Sequence, residues 1–195
     1  MNEHTWLNYI LNANKTFLKN INFEELITKR SPGTYAIVTC MDPRINLEAV
    51  GIGPFNRRTE YTQQVRIIRT LGGTIELRSL VVATYLAGLK ELIIMKHNDC
   101  GNSLAYKNID ILLENMIKQL EPERLKKFRA SVGEPFREKL LDWLKAFEDP
   151  EQAVKREIED LRNCSIIPKD LVIHGLVYDT YTGKISVVVN GYSQV

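Results

Sequence analysis

The stretch VRIIRTLGGTIELRSLVVATYLAGLKELIIMK, residues 65–96, opens and closes on apolar runs and keeps a helical period between them. Val65–Arg69 and Leu92–Lys96 have strand length and read as strands buried on both faces, as in parallel sheets covered by helices. Ile75–Leu89 sets Leu77, Leu80, Val81, Thr84 and Tyr85 on one side and carries Gly88 near its end. That is a crossover helix with a C-terminal glycine signal. The segment therefore predicts a βαβ unit and, with it, a parallel sheet.

Two further apolar runs, Tyr35–Thr39 and Leu171–Val177, supply strands on either side of this unit in the sequence. After the last of them, Val177-Tyr178-Asp179-Thr180-Tyr181-Thr182-Gly183-Lys184-Ile185 reads as a hairpin turning at Thr182-Gly183, which adds the antiparallel edge strand Ile185–Val189. Residues 103–163 have helical periodicity in Ile109–Leu120, Pro135–Phe147 and Pro150–Leu161, with Asp149 as N-cap and Pro150 at the first helical position. Residues 5–21 place Trp6, Ile10, Phe17, Leu18 and Ile21 at helical spacing, and Ser31-Pro32-Gly33 breaks the chain after them. This amphipathic helix has little to pack against locally, so it docks on the core or on a second subunit. The expectation is one α/β domain over residues 1–195. Its sheet has four mainly parallel strands plus an antiparallel edge strand, flanked by helices. Residues 1–30 form an N-terminal helical arm, and residues 103–163 a helical excursion.

A chain of 195 residues with 44% hydrophobic and 26% charged residues is ordinary for a globular protein with one core. A net charge of +2, with basic residues interleaved among acids, argues against nucleic acid or a membrane surface as partner. No apolar run approaches the roughly 18 residues of a membrane span, and the first twenty residues carry Asn2, Glu3, His4, Asn12 and Asn14 instead of a signal-peptide core. The expected location is the cytoplasm. There, three cysteines do not make a disulfide scaffold and serve more often as ligands, nucleophiles or small buried side chains.

Ligands of an open α/β sheet bind outside the carboxyl ends of its strands. Here those ends run into Cys40-Met41-Asp42-Pro43-Arg44, Thr70-Leu71-Gly72-Gly73 and His97-Asn98-Asp99-Cys100-Gly101. Thiolate and imidazole are good zinc ligands, and three protein ligands leave a fourth place for water or substrate. His97 and Cys100, at H-x-x-C spacing, can turn toward one ion, with Cys40 as the third ligand. Each of these residues could also be an ordinary core side chain, and Asp42 and Arg44 a surface ion pair. Three such residues together at adjacent strand exits favour a metal site. A phosphatase-like cysteine loop would need arginine where Asn46 stands, and a Cys40–Cys100 disulfide does not suit a reducing compartment. His4 lies in a tail, and His174 in mid-strand suits a core or interface role.

The two motifs, Cys40-Met41-Asp42-Pro43-Arg44 and His97-Asn98-Asp99-Cys100-Gly101, resemble the zinc-site signature of the β-class carbonic anhydrases. The resemblance is strong over about residues 35–105 and looser around Gly175–Gly183. It implies one Zn2+ per chain held by Cys40, His97 and Cys100, with Asp42 and Arg44 as a catalytic pair. It also implies a dimer or higher homo-oligomer with active sites near the subunit interface. The helical block and the Ile167-Pro168-Lys169-Asp170 approach to the fourth strand look closer to the short, archaeal-type branch, which includes hydrolases of carbon disulfide and carbonyl sulfide. The implied reaction is hydration of carbon dioxide to bicarbonate by hydroxide made available at zinc, with hydrolysis of those sulfur substrates as the alternative and a closed structural zinc site as a third reading. In that third case Asp42 or Cys164 would be the fourth ligand. One departure concerns the pocket: the family usually has Arg-Asn-Ala-Gly where this chain has Arg69-Thr70-Leu71-Gly72. Leu71, with Gly72 and Gly73, is then expected to reshape or narrow the substrate pocket.

Overall fold

The computed structural model describes residues 5–21, 34–52 and 65–194. Ser31-Pro32-Gly33, the end of the N-terminal arm and His4 lie outside the described residues. A five-stranded sheet in the order β2-β1-β3-β4-β5 forms the centre. Its strands are β1 (Tyr35–Cys40), β2 (Val65–Thr70), β3 (Glu91–His97), β4 (Val172–Tyr178) and β5 (Ile185–Val189). The first four pair in parallel, and β5 joins β4 antiparallel, as the alternation and the turn at Gly183 (φ +73°) require.

Around the sheet run α1 (Trp6–Asn20), α2 (Leu77–Tyr85), α3 (Gly101–Lys107), α4 (Ile109–Gln119), α5 (Pro122–Val132), α6 (Phe136–Leu144) and α7 (Pro150–Asn163). The expected start of α7 is present: the Asp149 carboxylate accepts the N–H groups of Glu151 and Gln152, ahead of Pro150. Leu80 and Ala83 of α2 and Val154, Ile158 and Leu161 of α7 pack on Ala36 and Val38 of β1, Leu92 and Ile94 of β3 and Ile173 of β4. Each such fully buried aliphatic side chain is worth about 1.5–3 kcal/mol, so this layer fixes the strand exits relative to one another. A smaller cluster of Ile109, Phe136 and Leu140 holds α4–α6 together.

The strand beginning at Val65 departs from expectation in not being buried on both faces: β2 is the sheet edge, and Ile67 is 48% exposed. The β2–α2–β3 segment is the expected crossover between parallel strands, with β1 lying between them in the sheet. The helical excursion also contains α5, which the sequence periodicity did not single out; its interior is dominated by Glu, Arg and Lys, and none of its residues is buried. The N-terminal helix forms as expected, capped by Thr5, yet no residue of it is buried against the core. No helix among the described residues is long and apolar enough to cross a membrane.

Candidate metal centre

Cys40 is the last residue of β1 and His97 the last of β3, and the two strands are neighbours. Three residues on, Cys100 caps α3, and its sulfur accepts the Asn102 N–H at 3.4 Å. The two sulfurs stand 3.9 Å apart. All three ligand atoms lie within 4.8 Å of one another, and all three residues are buried. Two thiolates on a tetrahedral zinc, each about 2.3 Å from the ion, would be about 3.8 Å apart.

The imidazole is oriented for the same purpose. His97 Nδ1 donates to the Asn98 carbonyl at 2.7 Å, which leaves Nε2 with its lone pair. That Nε2 is buried and has no hydrogen-bond partner. Such an orphan is costly unless something fills its place. The sulfurs carry a matching signal. Left to themselves they share one proton in a hydrogen bond that either sulfur could donate: that contact draws the Cys40 pKa down to about 4, while Cys100 is pushed far up by the same neighbour and by burial. A divalent cation would displace the shared proton and make both sulfurs ligands. The donor set, the spacing and the orphaned nitrogen all fit zinc.

Asp42 and Arg44 are brought together as the sequence led one to expect. The Asp42 carboxylate takes two side-chain bonds and one backbone bond from Arg44, and these hold its pKa down at about 2. Asp42 is thus engaged by Arg44 and stands outside the Cys–His–Cys cluster. Cys164 is also elsewhere, at the C-terminal end of α7, where it packs against the core. Among the described residues no fourth Cys, His, Asp or Glu joins the cluster, so the closed structural site with Asp42 or Cys164 is not built.

The diglycine turn lies between these arms. Gly72 and Gly73 have φ of +60° and +65°, where side chains are disfavoured. A Cβ on Gly73 would stand 3.2 Å from the Cys40 nitrogen, and one on Gly72 2.6 Å from the Asn102 side chain. Leu71 opens the turn half-buried, and its carbonyl accepts the Thr74 N–H.

Several supporting residues escaped the sequence reading. Asp99, in the left-handed region at φ 49°, grips Arg44 from the other side through its carboxylate (2.5 Å) and its carbonyl (2.7 Å). Arg69 ties the Cys40, Asp42 and Ile45 carbonyls together from β2. Asn98 bonds Asp179 and Thr180, anchoring the β4–β5 hairpin to the ligand loop. Asp99 could have been flagged as a carboxylate inside the ligand spacing; the partners of Arg69 and Asn98 are remote in sequence and left no signal. His174 bonds Glu91 and accepts the Gly191 N–H at the far end of the sheet, which fits the structural role expected of it.

Fold and site together define an α/β class with a thiolate–imidazole–thiolate group that could hold a metal ion at the carboxyl edge of a parallel sheet. No family model matches the chain. Its structure is similar to that of β-carbonic anhydrase isoform I of Trichomonas vaginalis, at 31% identity and a TM-score of 0.78, over 96% of this chain and 100% of the other. The protein YtiB of Bacillus subtilis (strain 168), which carries a provisional carbonic anhydrase name, is 30% identical over 96% of this chain and 98% of its own. A carbon disulfide hydrolase of Acidianus sp. (strain A1-3) is 31% identical over 76% of this chain and 74% of its own. The chain belongs to the β-carbonic anhydrase family.

Proposed function

We propose that this enzyme holds one zinc ion through Cys40, His97 and Cys100 and hydrates carbon dioxide to bicarbonate. The observation that carries the reading is a three-ligand cluster beside a carboxylate kept ionised by Arg44. Bound there, zinc supplies the Lewis acidity that makes a nucleophilic oxygen available from water near neutral pH. With zinc bound, Asp42 would accept a hydrogen from the attacking oxygen and so orient it toward the electrophilic carbon. Arg44 keeps Asp42 a carboxylate through the bidentate pair and holds its plane. Asp99 fixes Arg44 in turn. Water and carbon dioxide give bicarbonate and one proton, which passes to buffer.

Hydrolysis of carbon disulfide or carbonyl sulfide is the second reading, supported by several relatives named as carbon disulfide hydrolases. The same site would attack the same kind of linear electrophile, with Leu71 shaping access. Side-by-side assays of purified protein for bicarbonate formation and for hydrogen sulfide release separate the two. Bicarbonate formation well above the uncatalysed rate is expected. Sulfide release without carbon dioxide hydration would reverse the assignment.

The working unit in this proposal is a homo-oligomer. The exposed apolar side chains of α1, Trp6, Leu7, Tyr9 and Leu11 among them, and the edge strand β2 are the surfaces that support it. The cytoplasm suits free cysteine ligands that must stay reduced.

A further inference from the structure

Lys96 carries a charge directly after the apolar run Leu92–Met95 of β3, and its side chain is only 1% exposed. Its ammonium donates to the Gly72 carbonyl at 3.0 Å, lies 3.4 Å from Glu157 Oε1 and sits 5.0 Å above the Phe147 ring. Desolvating an ion pair offsets much of its own attraction, so stability alone is a weak reason for one here. Both partners also bind the same segment. Lys96 holds the carbonyl of Gly72, and the other carboxylate oxygen of Glu157 accepts the N–H of Ile75 at 3.1 Å. The turn gripped at these two points is the one packed between the Cys40 backbone and Asn102, whose own N–H bonds the Cys100 sulfur.

We propose that Lys96 and Glu157 are positioning residues for the metal centre, clamping the diglycine turn from behind so that it spaces the Cys40 arm from the Cys100 arm. The proposal deepens the metal-site reading above and rests on it. Neither residue touches the ion; they act through Gly72, Gly73 and Asn102 on where the two sulfurs stand.

The test compares parent protein with the double variant Lys96→Met, Glu157→Gln. This variant leaves no unpaired buried charge, and the glutamine amide oxygen can still accept from Ile75. Zinc affinity, read by competition with a chromophoric chelator, is expected to fall about 10- to 100-fold. The thiolate-to-cobalt absorption of the cobalt-loaded protein is expected to shift, while metal-free variant and parent melt at similar temperatures. Unchanged affinity with an unchanged cobalt spectrum overturns the proposal. A second pair covers a double variant that does not fold: Glu157→Gln and Glu157→Leu both leave Lys96 without its carboxylate, but Glu157→Gln, which can still accept from Ile75, should bind zinc more tightly than Glu157→Leu, which cannot. Equal affinities in that pair overturn the proposal, as does loss of the fold in every variant with and without zinc alike. A parent that binds no zinc sinks the metal-centre reading itself. A parent that binds zinc beside insensitive variants sinks only the role of Lys96 and Glu157.

Discussion

Arg44 faces the Asp42 carboxylate edge-on, with Nε 3.0 Å from Oδ1 and Nη2 2.7 Å from Oδ2. Two parallel bonds fix the plane of the carboxylate as well as its charge. A residue so held can accept a hydrogen from the attacking oxygen without itself becoming a metal ligand. Asp42→Asn is therefore expected to keep zinc and lose turnover by about 100-fold or more, the usual size of a proton-transfer contribution. Metal content and carbon dioxide hydration measured on one preparation check this. Equal turnover in variant and parent would remove Asp42 from the mechanism.

The pH dependence follows from two charges. Arg44 holds the Asp42 pKa at about 2, below the ordinary carboxylate value. The folded-state pKa is depressed, so the stabilising pair is complete above the unfolded carboxylate range and is lost as pH falls through about 2. Asp42 thus contributes no inflection between about pH 5 and 9. Two thiolates would cancel the formal charge of a bound zinc, so the site would acidify water less than three neutral histidines would. Turnover is expected to rise with pH above neutral. A rate profile flat from mildly acid to alkaline conditions would contradict this.

Gly73 has φ +65°, and a Cβ there would stand 3.1 Å from the Met95 carbonyl oxygen and 3.2 Å from both the Cys40 nitrogen and the Thr39 carbonyl carbon. All three are backbone atoms, which cannot rotate away. Gly73→Ala is expected to cost about 1–2 kcal/mol from the left-handed conformation, with a further loss from displacing β1. Denaturant titration reads the stability, and chelator competition the accompanying loss of zinc affinity. A variant matching the parent in both would show that the turn does not buttress the site.

Much of this arrangement could be read from the chain. Cys40, His97 and Cys100 were legible because each ends or follows an apolar run, and parallel strands deliver their exits to one edge. The hairpin at Gly183 and the Asp149-Pro150 helix start are local signals and were equally plain. The edge position of β2 was not, since Val-Arg-Ile-Ile-Arg reads alike whether one neighbour or two flank it. The Lys96–Glu157 pair joins residues 61 positions apart, and only the charge closing the apolar run Leu92–Met95 hinted at it. Asp99 reaches Arg44 from a left-handed backbone position, and although its carboxylate sits inside the ligand spacing, its partner lies 55 positions away.

The most direct measurement is X-ray absorption at the zinc edge of the purified, zinc-loaded protein. One zinc per chain is expected, with two sulfurs at about 2.3 Å, one imidazole nitrogen at about 2.0–2.1 Å and one light atom that added anions can replace. Protein that takes up no zinc, or a shell of four protein ligands that anions leave unchanged, would contradict the account.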